Sequence, residues 1–378
     1  MHNNSLMHSA DPLALNYQNE ILLSLSSLKH NYTYLSSLNP KIAIVPVLKS
    51  NAYGHGLLEI ATMLDDSNTP FFCVNSFSEA YLLWKNGIKT KIHIMGYVDP
   101  ENLREEPLPF SYTTYNYKQL EALNKHQPGG TIHIFVDTGM HREGFRIDKL
   151  PALIKSMKHF PRLKIDGLMS HFASGDRPES RQTQLQLKNF YTAKEILWSF
   201  GIKPTWEHIA ASAGFLNFVK SGSIGNLARV GKAIYGIDPR GPNKKLKPIL
   251  KLTTEIVQVK SLNIGDRVGY DGTYKAPKPI VIGVLPIGYY DGVDRRLSNS
   301  GIMLVNGRVC PIVGRISMNI TTIDISGVTN PRVGQEVTVI SNKSSDANSI
   351  EAIAKQTDTI PYDIAVRLAP TIRRSITR

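Results

Sequence analysis

Cysteine is nearly absent from this chain. Cys73 and Cys310 are the only two in 378 residues, and no CxxC pair occurs. That excludes a disulfide framework and a structural zinc site of the usual spacing. Long apolar runs are missing as well, and none approaches the ~20 residues that span a bilayer. The first residues, MHNNSLMHSADP, lack the apolar stretch of a secretory signal. A cytoplasmic protein with no membrane partner is expected. There is no internal repeat, no low-complexity tract, no long Gly/Ser linker and no GxGxxG dinucleotide fingerprint. Acidic residues are scarce, with 31 Asp and Glu against 44 Lys and Arg, for a net charge of +13. The basic groups are scattered. Lys244, Lys245 and Lys247, then Arg295 and Arg296, then Arg373 and Arg374 are the densest. No nucleic-acid signature accompanies them, so a basic, soluble surface is expected and a nucleic-acid partner is not.

What is present is globular: 42% apolar, 20% charged and 8% aromatic residues. Up to about residue 240, short β-rich runs alternate with helical patterns. The runs are Ile42–Leu48, Phe71–Val74, Ile92–Met95, Phe110–Thr114, Ile132–Val136, Ile165–Met169, Trp206–Ile209 and Leu227–Val230. Helical periodicity marks Ser78–Asn86, Leu150–Phe160 and Gln182–Phe200. Eight strands alternating with helices predict an α/β fold closed as a (β/α)8 TIM barrel. After the turn at 238–242 the texture changes to alternating runs: Leu252–Val259, Ile280–Leu285, Ile302–Val305, Val309–Val313, Thr321–Ile325 and Glu336–Ile340. Asn306-Gly307 is a type I′ hairpin signal. The chain therefore divides into a tail (1–17), a barrel (18–240) and an all-β domain (241–378). Glu20–Leu25 also alternates; it either pairs with the β domain or starts the barrel.

Barrel chemistry sits at the C-terminal ends of the strands. The residues there are Lys49, Asn75, Gly96, the stretch 137–142, Ser170-His171, the stretch 210–212 and Gly231. A lysine at a barrel mouth is partly desolvated, which favours its neutral, nucleophilic form and Schiff-base chemistry. Taken alone, Lys49 reads better as a strand cap pointing to solvent. Gly225–Lys232 superficially suggests a phosphate loop. The glycine spacing is wrong, however, and Ala233 stands where Ser or Thr must bind magnesium.

The run Val45–Gly56, with Lys49-Ser50-Asn51-Ala52-Tyr53-Gly54-His55-Gly56, resembles the pyridoxal-phosphate lysine motif of the alanine racemase family. The later motifs follow in that family's order across nearly the whole chain. The resemblance implies an isomerase that interconverts L- and D-alanine and supplies D-alanine for peptidoglycan, with pyridoxal 5′-phosphate on Lys49. It implies Tyr270 as the second acid/base, with Tyr274 a nearby rival. His171 and Arg229 are expected behind Tyr270, and His208 in support. Tyr53, Ser212, Gly231, Lys232 and Tyr362 match the phosphate contacts. In the family, Arg229 faces the cofactor's pyridine nitrogen. A guanidinium always donates and disfavours protonating that nitrogen, which favours racemisation over decarboxylation. Arg142 and the Met318 amide match substrate-carboxylate contacts. Tyr289, Asp176, Arg295 and Arg315 match entrance residues, which alone read equally as solvated surface. The family works as a head-to-tail homodimer with shared sites, so Tyr270 and Met318 are expected to serve the partner's cofactor. Phe135 departs from the pattern: many members carry a carbamylated lysine there that orients the arginine matching Arg142. Ser317, Asn319 and Ala211 also replace common family residues. A serine or broad-specificity racemase, or a decarboxylase, remains as an alternative.

Overall fold

The computed structural model describes residues 18–104, 106–241 and 243–378. The tail expected over 1–17 lies outside them. Eight parallel strands form the barrel: Ala43–Pro46, Phe72–Val74, Ile92–Ile94, Phe110–Thr114, Thr131–Asp137, Lys164–Met169, Trp206–His208 and Leu227–Val230. Each lies close to its expected limits. Six of them pair in sequence order in one curled sheet. The other two pair with each other, Arg229 opposite Val45. Parallel bridges at Val47–Cys73 and Ala211–Arg229 close the ring on both sides.

Side chains alternate across each strand. Ile44, Phe72, Val74, Ile92 and Ile94 pack outward into the large core shared with the helices, whereas Val45, Val47, Cys73 and Leu227 form a separate apolar cluster. The helices have well-defined starts. Ser76 caps the helix Phe77–Lys85 in a reciprocal capping box with Glu79. Ser180 caps the long helix Arg181–Ser199 through the Thr183 amide.

The C-terminal half carries a six-stranded sheet and a three-stranded sheet. The hairpin is as expected: Val305 pairs with Arg308, and Asn306 and Gly307 both take positive φ, 51° and 75°. Leu252–Val259 is not one strand. The chain crosses between sheets at Ile256 and Val257, giving Leu250–Glu255 in the large sheet and Gln258–Leu262 in the small one. Thr253 and Thr254 are both buried in the first segment and no residue of the second is, so burial does not alternate across the crossing. Two short helices, Ile350–Gln356 and Pro361–Val366, supplement this β-rich half. Glu20–Ser24 joins its large sheet, antiparallel to Leu250–Thr253 and parallel to Arg373–Thr377.

Candidate active site

A cavity of about 1000 Å³ opens at the C-terminal ends of the barrel strands. Lys49 stands at its wall, directly after the first barrel strand. Burial, then the nearby Arg142 guanidinium, lower its ammonium pKa. The backbone after it is unusual. Ser50, Asn51, Ala52 and Tyr53 all adopt left-handed conformations, with φ between 50° and 56°. Such a conformation costs ~1–2 kcal/mol per non-glycine residue. The surroundings must therefore hold it. Glu79 accepts from the Ser50 amide at 2.6 Å, and Asn51 Oδ1 accepts from the Leu57 amide at 2.8 Å.

Arg229 projects from the last barrel strand and is 2% exposed. Its Nη2 donates to the Ser170 carbonyl at 2.7 Å and to His171 Nδ1 at 3.0 Å. Its Nη1 donates to His208 Nδ1. A guanidinium only donates, so both imidazole Nδ1 atoms accept, and both rings carry their proton on Nε2. His208 Nε2 then donates to His133 Nδ1 at 2.9 Å. Burial, then Arg229, hold His171 down to about 3. Burial also pushes Arg229 down to about 10, which leaves it charged at neutral pH.

Beside Lys49, after the neighbouring last barrel strand, the wall offers donors that suit an anion. Gly231 packs against Tyr53, where a Cβ would sit 2.8 Å from the phenol oxygen. Among the described residues, the Gly231 and Lys232 amides find no backbone acceptor. Ser212 Oγ lies beside them and accepts from the Ala233 amide at 3.3 Å. Lys232 Nζ lies 3.7 Å from the centre of the Tyr362 ring. Tyr53 is pushed up to about 12, chiefly by burial, so it stays a protonated donor.

The profile of the alanine racemase N-terminal domain matches residues 23–239, and that of the C-terminal domain matches residues 249–376. The chain belongs to the alanine racemase family. Similar relatives include an alanine racemase of Syntrophobacter fumaroxidans, 34% identical, covering 90% of this chain and 93% of its own. One of Sorangium cellulosum is 32% identical, covering 93% and 97%. Among solved structures, alanine racemase of Bacillus anthracis with bound L-Ala-P aligns with a TM-score of 0.85 at 28% identity, covering 97% of this chain and 96% of its own. That of E. faecalis aligns with a TM-score of 0.87 at 29% identity, covering 97% and 100%.

Of the residues that the alanine racemase pattern singled out, Lys49, Tyr53, Arg142, His171, Asp176, Ser212, Arg229, Gly231, Lys232 and Tyr362 line one cavity. His208 supports Arg229 from the barrel interior. Tyr270, Tyr289, Arg295, Arg315 and Met318 do not line that cavity; they belong to the β domain. There Tyr270 is 69% and Met318 55% exposed. Arg315 pairs with Asp271 at 2.6 Å, which ties the Tyr270 turn to the segment bearing Met318. Ser298 Oγ accepts from the Ile316 amide at 3.1 Å and donates to the Arg295 carbonyl at 2.6 Å, fastening Arg295 to the same segment.

Phe135 is buried and lines the cavity. Arg142 instead meets its neighbour Glu143, at 3.2 Å. Asp137 shapes the Arg142 loop by accepting from the amides of Gly139, Met140 and His141. Sequence reasoning did not single out Glu79, His93, His133 or Glu143. His93 and His133 occupy alternate positions in short apolar strands, and that period was their one available signal.

Proposed function

We propose that this protein interconverts L- and D-alanine with pyridoxal 5′-phosphate, as a head-to-tail homodimer in the cytoplasm, and so supplies D-alanine for peptidoglycan. The carrying observation is Arg229, a buried and permanently charged donor held at the same cavity as Lys49. The residues present fit the cofactor. A glycine cradle against Tyr53, two amides without backbone acceptors and a nearby hydroxyl suit its phosphate. A partly desolvated lysine suits its aldehyde.

When bound, the cofactor would supply the electron-withdrawing ring that acidifies the substrate's Cα–H bond. Lys49 would hold it covalently, and Tyr53, Ser212, Gly231, Lys232 and Tyr362 would hold its phosphate. Arg229 would donate to the ring nitrogen and keep it unprotonated, which restrains electron withdrawal and favours proton return over side reactions. Once displaced by substrate, Lys49 would move a proton on one face of Cα. The partner subunit's Tyr270 would move it on the other. His171, its Nδ1 occupied by Arg229, has Nε2–H free in sense to donate toward that phenol oxygen. Arg142 and the partner's Met318 amide would take the substrate carboxylate. Tyr289, Asp176, Arg295 and Arg315 would guard the entrance.

A second reading rests on Phe135. Phenylalanine at 135 offers Arg142 no anionic partner, Arg142 pairs with Glu143 instead, and a broader amino-acid range is the reading that this favours. Incubating the loaded protein with single enantiomers of alanine, serine and larger amino acids, with chiral analysis, tests both readings. Conversion of alanine far above the others supports the first, and comparable rates support the second. No conversion of any amino acid sinks the proposal.

A further inference from the structure

The left-handed turn after Lys49 is tied down one carbonyl at a time. His55 Nδ1 lies 3.0 Å from the Ala52 carbonyl and 3.1 Å from the Tyr53 carbonyl. Both are acceptors, so Nδ1 carries the proton. The ring is 1% exposed and stacks on Tyr235 at 4.4 Å, and the Tyr235 hydroxyl donates to the Val47 carbonyl at 2.7 Å. The next carbonyl, of Gly54, is reached from the far end of the chain. Arg374 Nη2 and Nε donate to it at 2.9 and 3.2 Å.

Arg374 has little freedom there. Its Nη1 donates to the Ile372 carbonyl at 2.7 Å, and its backbone lies in the strand Arg373–Thr377 beside Glu20–Ser24. Gly54 itself abuts the helix Pro361–Val366, where a Cβ would overlap the Ala365 carbonyl. The helix that precedes Arg374 thus packs against Gly54, the residue that ends the turn begun at Lys49.

We propose that Arg374 is a positioning residue for the cofactor site: it pins the Gly54 carbonyl and, with His55, holds the strained turn that sets Lys49 and Tyr53. The inference rests on the reading of this cavity as a pyridoxal-phosphate site. It concerns how tightly the site is preorganised, since a turn that relaxes toward right-handed backbone would carry Tyr53 away from Gly231.

The test uses the full chain, with pyridoxal 5′-phosphate as probe. Its dissociation constant is read from visible absorbance, and thermal unfolding is followed in parallel. Arg374→Ala should raise the constant about ten-fold, and Arg374→Lys, which loses the paired donors, about three-fold. Thr377→Val is the control. It removes the bond from Thr377 to the Leu23 carbonyl and loosens the same strand without touching the turn. It should leave the constant within about two-fold. Equal weakening by Thr377→Val, or an unchanged constant in Arg374→Ala, overturns the proposal. If Arg374→Ala does not fold, an unchanged constant in Arg374→Lys overturns it. Wild-type protein that binds no pyridoxal phosphate overturns the reading of the site instead.

Discussion

Arg229 donates to His171 Nδ1 at 3.0 Å and, through its other terminal nitrogen, to His208 Nδ1. One side chain thereby fixes the tautomers of two imidazoles. Lysine in its place keeps the charge but cannot fork between them. Arg229→Lys should lower kcat about a hundred-fold, with the alanine KM changed far less. A kcat within a few-fold of wild type would remove Arg229 from the chemistry.

The buried histidines make stability sensitive to acid. Burial holds His133 and His171 down to about 3 and His55 to about 4. In the unfolded chain these groups titrate near 6.5. Below that pH the unfolded state binds more protons, so stability falls as pH falls. Each fully buried histidine contributes up to about 1.4 kcal/mol per pH unit in that window. The melting temperature should be flat above pH 7 and drop steadily from pH 6.5 toward 4. A melting temperature that is level across that range would mean the imidazoles are not neutral in the fold.

The proposed sharing of sites between subunits predicts complementation. Lys49→Ala and Tyr270→Phe homodimers should each be nearly inactive in both directions. Dissociated and mixed, they should form hybrids with one intact site. Random pairing gives about half hybrids, each with one of two sites working, hence about a quarter of wild-type activity. Mixtures no more active than either parent would place both residues in one subunit's site.

Gly231 has no room for a side chain. Gly231→Ala places a methyl 2.8 Å from the Tyr53 phenol oxygen, and the phenol must move. Equilibrium dialysis should register a loss of pyridoxal-phosphate affinity of about ten-fold, with unfolding little changed because the glycine borders a cavity. Affinity equal to wild type would take the phosphate away from this wall.

Arg142 forms an ion pair with an adjacent, half-exposed glutamate, Glu143. Such a pair contributes less than about 1 kcal/mol. Arg142→Ala should therefore leave stability alone and raise the alanine KM about ten-fold, with a smaller effect on kcat. An unaltered KM would show that the substrate carboxylate is held elsewhere.

The barrel was legible because its strands and helices carry distinct periods, and Asn306-Gly307 announced its hairpin by backbone requirement alone. Lys49, Tyr53 and Arg229 were legible only as members of a motif, since each alone has an ordinary structural explanation. The barrel interior was not. His93 lies 2.8 Å from the Thr113 hydroxyl, and its ring centre is 4.1 Å from that of His133. Gly167 leaves the gap in which His133 sits. Such partners are 20 to 75 residues apart in sequence, and no local pattern links them. The Ile256 crossing escaped notice although the alternation changes phase there, with Ile256 and Val257 apolar neighbours inside one β-rich run. Arg374 stood out only as half of a basic pair, because a carbonyl acceptor leaves no mark in side-chain spacing.

The strand Glu20–Ser24 lies between Leu250–Glu255 and Arg373–Thr377. During synthesis its first neighbour is made more than two hundred residues later, and its second about three hundred and fifty residues later. A nascent chain can close its barrel long before this opening strand finds a place. The large sheet is completed only once Arg373–Thr377 has been made, and with it arrives the arginine that grips the turn behind Lys49.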